Sequence, residues 1–128
     1  MAARAVTRAY DQALRPTGLR STQFTILVAA SVAGGIPLHR LAERLGLERT
    51  TLTRSLAALD SEGLVEVASM DGRTRNVVLS AAGTARLKQA LPLWDAAQQT
   101  LRRKLGEEGW SHLHQMLATI AEAAHVQT

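Results

Sequence analysis

The chain has 128 residues, 46% of them apolar, which points to one domain with enough Ala and Leu to build a core. Cysteine is absent, which excludes disulfides, zinc–thiolate sites and thiol redox sensing, and aromatics at 3% are too few for a base-stacking platform. The net charge of +4 invites a polyanionic partner, while no apolar run approaches a membrane span and no signal-peptide core is present; a cytoplasmic protein without membrane contact is expected.

Residues 1–14 read as an Ala-rich helix with Val6, Tyr10 and Leu14 at i, i+4 and i+8. Arg15-Pro16-Thr17-Gly18 breaks it. Ser21 or Thr22 is expected to cap a second helix, in which Phe24, Leu27, Val28 and Ser31 recur at helical spacing until Gly34-Gly35. Pro37 then suits the first position of a short helix, PLHRLAERL, with Leu38, Leu41, Ala42 and Leu45 on one face. Gly46 ends it and can take the left-handed conformation.

The next stretch, Glu48 to Glu62, organises the chain. Leu52, Leu56 and Leu59 fall on one stripe of a helix, and Thr50, Arg54, Ala57 and Ser61 fall on the opposite side, with Thr51 and Thr53 flanking. A solvated face usually carries Lys and Glu. This one carries short side chains around a single arginine, so its backbone can approach another surface closely while Arg54 reaches into it. A major groove admits a helix in that way, and arginine bonds both acceptors of guanine. An amphipathic helix with an ordinary small outer face is the alternative. The short helix before it, joined through Gly46-Leu47, completes a helix-turn-helix pattern.

Gly63 closes that helix. Leu64 to Ala68 and Asn76 to Leu79 read as two strands around the tight-turn signal Asp71-Gly72. A lone hairpin is marginal and must lean on the helices, which makes it a wing. Arg73 and Arg75 stand at its tip, two residues apart and so on one side of a regular strand.

Ser80 can cap the following helix, expected over residues 81–105 with Leu87, Leu91, Trp94, Leu101 and Leu105 as its stripe and a kink at Pro92. Gly106 ends it. A last helix carries Trp110, Leu113, Leu117, Ile120 and Ala124. A winged unit of about residues 20–80 can bury its own core, which leaves the stripes of the terminal helices over. A 25-residue helix spans about 37 Å, longer than such a unit is wide. The simplest cover is a second copy of the chain in a two-fold homodimer; an intramolecular three-helix bundle is the alternative. The fold class is therefore mainly α with a small β-hairpin wing (α+β): one domain over 1–128, with a winged helix-turn-helix core at about 20–80 and dimerisation helices at about 1–15 and 81–126.

Residues 21–80 hold six arginines and six acidic residues, and the positive excess lies in 1–20 and 81–106. Individual arginines therefore matter more than global charge. His112 and His114, at i and i+2, point about 200° apart on a helix and cannot grip one metal together. No phosphate loop or nucleophile elbow is present, so neither an enzyme nor a cofactor is expected. Trp94, Phe24 and Tyr10 read as core before pocket lining, and no residue is assigned to a small-molecule site. A winged-helix module that binds protein and never reads DNA stays open as a second function class. The arginine-bearing wing beside a small-faced helix favours double-stranded DNA.

Four stretches, YDQALRPTGLRSTQFTIL (10–27), LAERLGLERTTLTRSLAALDSEGLVEV (41–67), DGRTRNVVLSAAG (71–83) and LPLWDAAQQTLRRKLGEEGW (91–110), resemble the multiple antibiotic resistance regulator (MarR) family of bacterial transcription factors. The resemblance covers nearly the whole chain. It is most specific at the recognition helix with its following Gly-Leu-Val, and at Asp71, Arg73 and the Leu79-Ser80-x-x-Gly83 exit. It implies a homodimer on a pseudo-palindromic operator, usually a repressor, with Thr50, Thr51, Thr53 and Arg54 facing DNA beside Arg49. It implies that Arg73 is the wing arginine, oriented by Asp71, and that an aromatic acid or phenol is the effector class. Members usually carry more chain before the residues matching Met1 to Tyr10, so a shorter dimer arm is expected. The absence of cysteine removes the oxidant-sensing subclass.

Overall fold

The structure is a computed structural model that describes residues 2–69 and 74–126, with side chains described except at 2, 3, 113, 114 and 116–126. Asp71, Gly72 and Arg73 lie outside the described residues, as do the side chains of Leu113, His114, Leu117, Ile120 and Ala124. In chain order the elements are α1 (Ala2–Leu14), a 3-10 turn (Arg15–Thr17), α2 (Ser21–Ala33), β1 (Ile36–Pro37), α3 (Leu38–Leu45), α4 (Arg49–Ser61), β2 (Val65–Ser69), β3 (Arg75–Leu79) and α5 (Ala81–Val126). The fold is mostly helical with one small antiparallel sheet, as the mainly α winged pattern requires.

α2 is the central helix. Phe24, Ile26, Leu27, Ala29 and Ala30 are all buried, so its apolar surface runs most of the way round rather than along one stripe. Leu14, Leu41, Leu52, Leu59, Leu64 and Val77 close over it. Each fully buried Leu or Ile contributes about 1.5–3 kcal/mol of transfer free energy. The start of α2 differs from the sequence expectation. Neither Ser21 nor Thr22 caps it: Arg20 occupies the N-cap position, and its N–H is held by Gln23 Oε1 at 3.0 Å. The Ser21 N–H donates instead to Asp11 Oδ1 of α1, at 2.7 Å. A carboxylate supplied by another helix thus meets the positive end of α2.

The sheet has three strands, not two, in the order β1-β3-β2. Ile36 pairs with Val77 and Pro37 with Asn76 on one side of β3; Val65 to Ser69 pair with Leu79 to Arg75 on the other. Pro37 is therefore a strand residue at the N-cap position of α3, and the helix starts at Leu38. Proline has no N–H to give the ladder, which suits a two-residue edge strand. Val77 is fully buried at the centre.

The chain between the wing and α5 is tightly bonded. Ser80 N–H donates to the Leu64 carbonyl at 3.1 Å, and Ser80 Oγ donates to the Gly63 carbonyl at 2.6 Å while accepting the Gly83 N–H at 3.0 Å. Ser80 caps α5, as its position in the sequence suggests. A Cβ on Gly83 would overlap the Leu64 carbonyl oxygen, so only glycine permits this approach of helix to strand. Farther along, Arg86 Nη1 donates to the Thr17 carbonyl at 2.7 Å and ties α5 to the 3-10 turn. Buried Thr17 bonds locally, its Oγ1 donating to the Leu14 carbonyl at 2.6 Å and accepting the Leu19 N–H at 3.2 Å.

Trp94 of α5 stacks between Tyr10 of α1 (ring centroids 3.9 Å apart) and Phe24 of α2 (4.4 Å). These three rings fill the core between the three helices. Burial pushes the Tyr10 phenol up from its ordinary value, and a hydrogen bond with Gln98 works against that shift. Backbone angles stay helical through Pro92, the position of the expected kink. Proline fixes φ near the helical value and forfeits one hydrogen bond without forcing a turn. The departure lies at Gly106, where φ is 71° and ψ 171°, dividing α5 into 81–105 and 107–126. Arg102 spans the break, with Nε 3.3 Å from Glu107 and its guanidinium 5.7 Å from the Trp110 ring centre. Leu87, counted in the sequence among the apolar positions left over, is buried within the chain, whereas Leu91 and Leu105 are 41% and 43% exposed.

Candidate nucleic-acid interface

The interface is built on α4. Leu52, Leu56 and Leu59 are buried against α2 and the sheet, which fixes the helix's rotation about its own axis. Arg49, Thr50, Thr51, Thr53, Arg54 and Ala57 are consequently all exposed on the other side, as the leucine spacing requires. Gly46 holds the turn from α3 in the left-handed conformation (φ 63°), with Leu47 N–H donating to the Ala42 carbonyl at 3.1 Å. The α3–α4 pair is therefore a rigid corner.

The first turn of α4 contains no acidic residue, and Glu48 at its N-cap makes no side-chain bond to the helix. Arginine at a helix N-terminus opposes the macrodipole, at a cost of a few tenths of a kcal/mol to about 1 kcal/mol. Arg49 accepts that penalty, and the end it occupies presents open N–H groups together with a full positive charge. Such an end attracts phosphate oxygens. Among the described residues the side chains of Arg49, Arg54 and Arg75 have no salt-bridge or hydrogen-bond partner.

β3 brings Arg75 beside α4. A cleft of about 670 Å³ between α3, α4 and the wing is bordered by His39, Glu43, Arg49, Thr53, Thr74 and Arg75 over a floor of Leu38, Ala42 and Leu52. It continues into a smaller space of about 210 Å³ shared by Thr53, Ala57, Asp60, Val67 and Arg75. Arg75 is thus a strand residue opposite Ser69 that faces α4 across this cleft. Arg73 and its proposed partner Asp71 lie outside the described residues. Arg49, Thr53 and Arg75 are brought to one cleft; Arg54 is exposed farther along the same helix. His39, an isolated surface histidine in the sequence, joins this cleft. Its place as the second residue of α3, next to the edge strand, was the available signal, and it depends on seeing Ile36–Pro37 as a strand.

Among the described residues no three of His, Asp and Glu stand close enough to hold a metal ion, and no helix is long and apolar enough to cross a membrane.

The chain matches the family model of the MarR family over residues 19–72, the segment from the start of α2 to the wing. The transcriptional regulator MosR of M. tuberculosis, solved in complex with DNA, is 40% identical with a TM-score of 0.79, covering 98% of this chain and 92% of that one. A mutant MarR from E. coli complexed with operator DNA is 26% identical, TM-score 0.79, covering 91% and 86%. CouR from Rhodococcus jostii, bound to p-coumaroyl-CoA, is 25% identical, TM-score 0.79, covering 94% and 86%. No curated protein sequence matches the chain.

Proposed function

Because this chain belongs to the MarR family of transcriptional regulators, we propose that it is a sequence-specific DNA-binding repressor, which acts as a homodimer on a pseudo-palindromic operator and responds to a small organic effector. The observation that carries this reading is the outer face of α4. Thr50, Thr51, Thr53 and Arg54 stand exposed on a helix whose leucines lock its orientation, beside an open N-terminus bearing Arg49. In this reading α4 enters a major groove, its threonines meet base edges and phosphates, and Arg54 reads guanine. Arg75 and Arg73, with Asp71 as the orienting carboxylate, serve the flanking backbone and minor groove. Relatives solved with DNA support the partner class.

α1 and α5 carry the dimer around the winged unit of about residues 20–80. Exposed Leu91 and Leu105 support this, since large apolar side chains on a long helix favour a partner surface. The effector class is an aromatic acid or a derivative of one, by analogy with a neighbour solved with an aromatic acyl thioester. The work is binding rather than catalysis, and its place is the cytoplasm, where the operator lies.

A gel shift on DNA upstream of this chain's own gene, at two salt concentrations and with random competitor, tests the reading. A retarded complex that survives competitor at the higher salt is expected. Equal loss to specific and random competitor would reduce α4 to an unspecific contact and favour the protein-interaction alternative.

A further inference from the structure

Ser80 joins the chain leaving α4 to the chain entering α5 by two hydrogen bonds, one from its side chain and one from its backbone, and a third caps α5. Ser80 Oγ donates to the Gly63 carbonyl and accepts from the Gly83 N–H, and Ser80 N–H donates to the Leu64 carbonyl. Gly63 and Leu64 follow Glu62, the C-cap of α4: Gly63 N–H bonds to the Asp60 carbonyl at 2.9 Å, and Leu64 N–H to the Leu59 carbonyl at 3.0 Å. Gly83, in the first turn of α5, has no room for a methyl group against the Leu64 carbonyl. Leu59 and Leu64 are themselves buried in the core. The end of the recognition helix and the start of α5 therefore share one backbone junction, with little slack.

We infer that this junction is a clamp that sets the position of the recognition helix relative to α5, and that Ser80 is a positioning residue for DNA reading. This rests on the proposed regulator function, in which α5 builds the dimer and α4 reads each half-site. The spacing between two recognition helices is then fixed by how firmly each α4 is held to its own α5. Ser80 touches no DNA; it acts through Gly63 and Leu64. Removing its hydroxyl frees the Gly63 carbonyl and the cap of α5 together. An alanine at Gly83 acts from the other side, pushing the two backbones apart.

Two measurements test the clamp. The chain has no native cysteine, so Ala57→Cys on α4 and Asp95→Cys on α5, both exposed, take spin labels cleanly. The distance between them is measured within one chain, diluted in unlabelled protein. A narrow distribution is expected with Ser80 and with Ser80→Thr, which keeps the hydroxyl. A broad one is expected with Ser80→Ala, at unchanged helical content, and a displaced one with Gly83→Ala. The second measurement is affinity for operator duplexes whose half-sites are moved by one base pair either way. Ser80→Ala should bind the native spacing on the order of tenfold more weakly, because a smaller fraction of molecules holds both helices in register. It should also lose discrimination between spacings while keeping the base preferences within a half-site. Unchanged widths in Ser80→Ala, or a spacing profile parallel to wild type, would overturn the clamp. A wild type that binds no operator would count against the regulator reading alone, and the spin-label distances would still decide the clamp.

Discussion

The carboxylate of Asp11, on α1, accepts the backbone N–H of Ser21, the first residue of α2, at 2.7 Å. One helix thus caps another, and the capping group comes from a terminal helix outside the winged unit. Asp11→Ala should lower stability by about 1 kcal/mol, the usual worth of an N-cap, with Asp11→Asn costing less because the amide oxygen can still accept. Urea unfolding of the three proteins measures this. Equal midpoints would mean that water replaces the cap without loss.

Tyr10 is the single tyrosine, so tyrosinate absorbance reports on it alone. Burial raises its pKa above 10.0. Its contribution to stability is therefore fully present below pH 10.0 and is lost as pH rises through the folded-state pKa. Wild type should lose stability on alkaline titration more steeply than Tyr10→Phe, and the phenol should titrate later in the folded protein than in urea. Titration at the same pH in both states would remove the effect.

Arg54 is exposed near the centre of the α4 face. Arg54→Ala should cost about 1–3 kcal/mol per half-site and relax preference at one base pair in each half. Competition binding with a panel of operator variants measures it. An equal loss on specific and random duplexes would make Arg54 a phosphate contact only.

For the wing, Arg75→Ala and Arg73→Ala should each reduce the slope of log K against log salt by up to about 2 per dimer, near one counterion for each lost contact. Preference should shift at A·T-rich flanks more than at the half-site centre. Operator affinity across a salt series, with Asp71→Ala alongside, separates the two arginines. An unchanged slope with full affinity in both variants would take the wing out of the DNA-binding surface.

Leu105 is 43% exposed in the single chain, so Leu105→Asp carries little cost to the isolated fold. At a dimer interface it would bury an unpaired charge, costing several kcal/mol. Light scattering should show a wild-type dimer and a variant shifted to folded monomer. A variant that stays dimeric would place the interface elsewhere.

The helix-turn-helix and the outer face of α4 were legible because they depend on local spacing. Leu52, Leu56 and Leu59 recur with helical period, and Gly46 and Gly63 stand where the chain must turn. What escaped the sequence depends on partners far along the chain. Ile36–Pro37 is too short to show alternation and becomes a strand only because Val77 and Asn76 lie beside it. The cap of α2 could not be assigned to Asp11, ten residues upstream, by local rules that favour Ser21. Leu87 looks like any other stripe residue, yet it is buried within the chain. Gly106, by contrast, was legible as the end of the helix that begins at Ala81, and the backbone leaves helical angles there. Arg75 beside Thr53 follows from strand register and the wing's lean on α4, neither of which is written locally.

β3 is gripped on both flanks, by Ile36–Pro37 on one side and by β2 on the other. Its register does not rest on the hairpin connection alone. A slip of one residue would expel Val77 from the core and break the pairing with β1 at the same time. The segment joining β2 to β3 is consequently free to change in length and composition over generations while the strands stay where they are. In the proposed reading, where the wing meets flanking DNA, recognition there can then diversify between duplicated regulators through that segment without any renegotiation of the fold, and a wing segment grafted from one such regulator into another should be inherited as an interchangeable part.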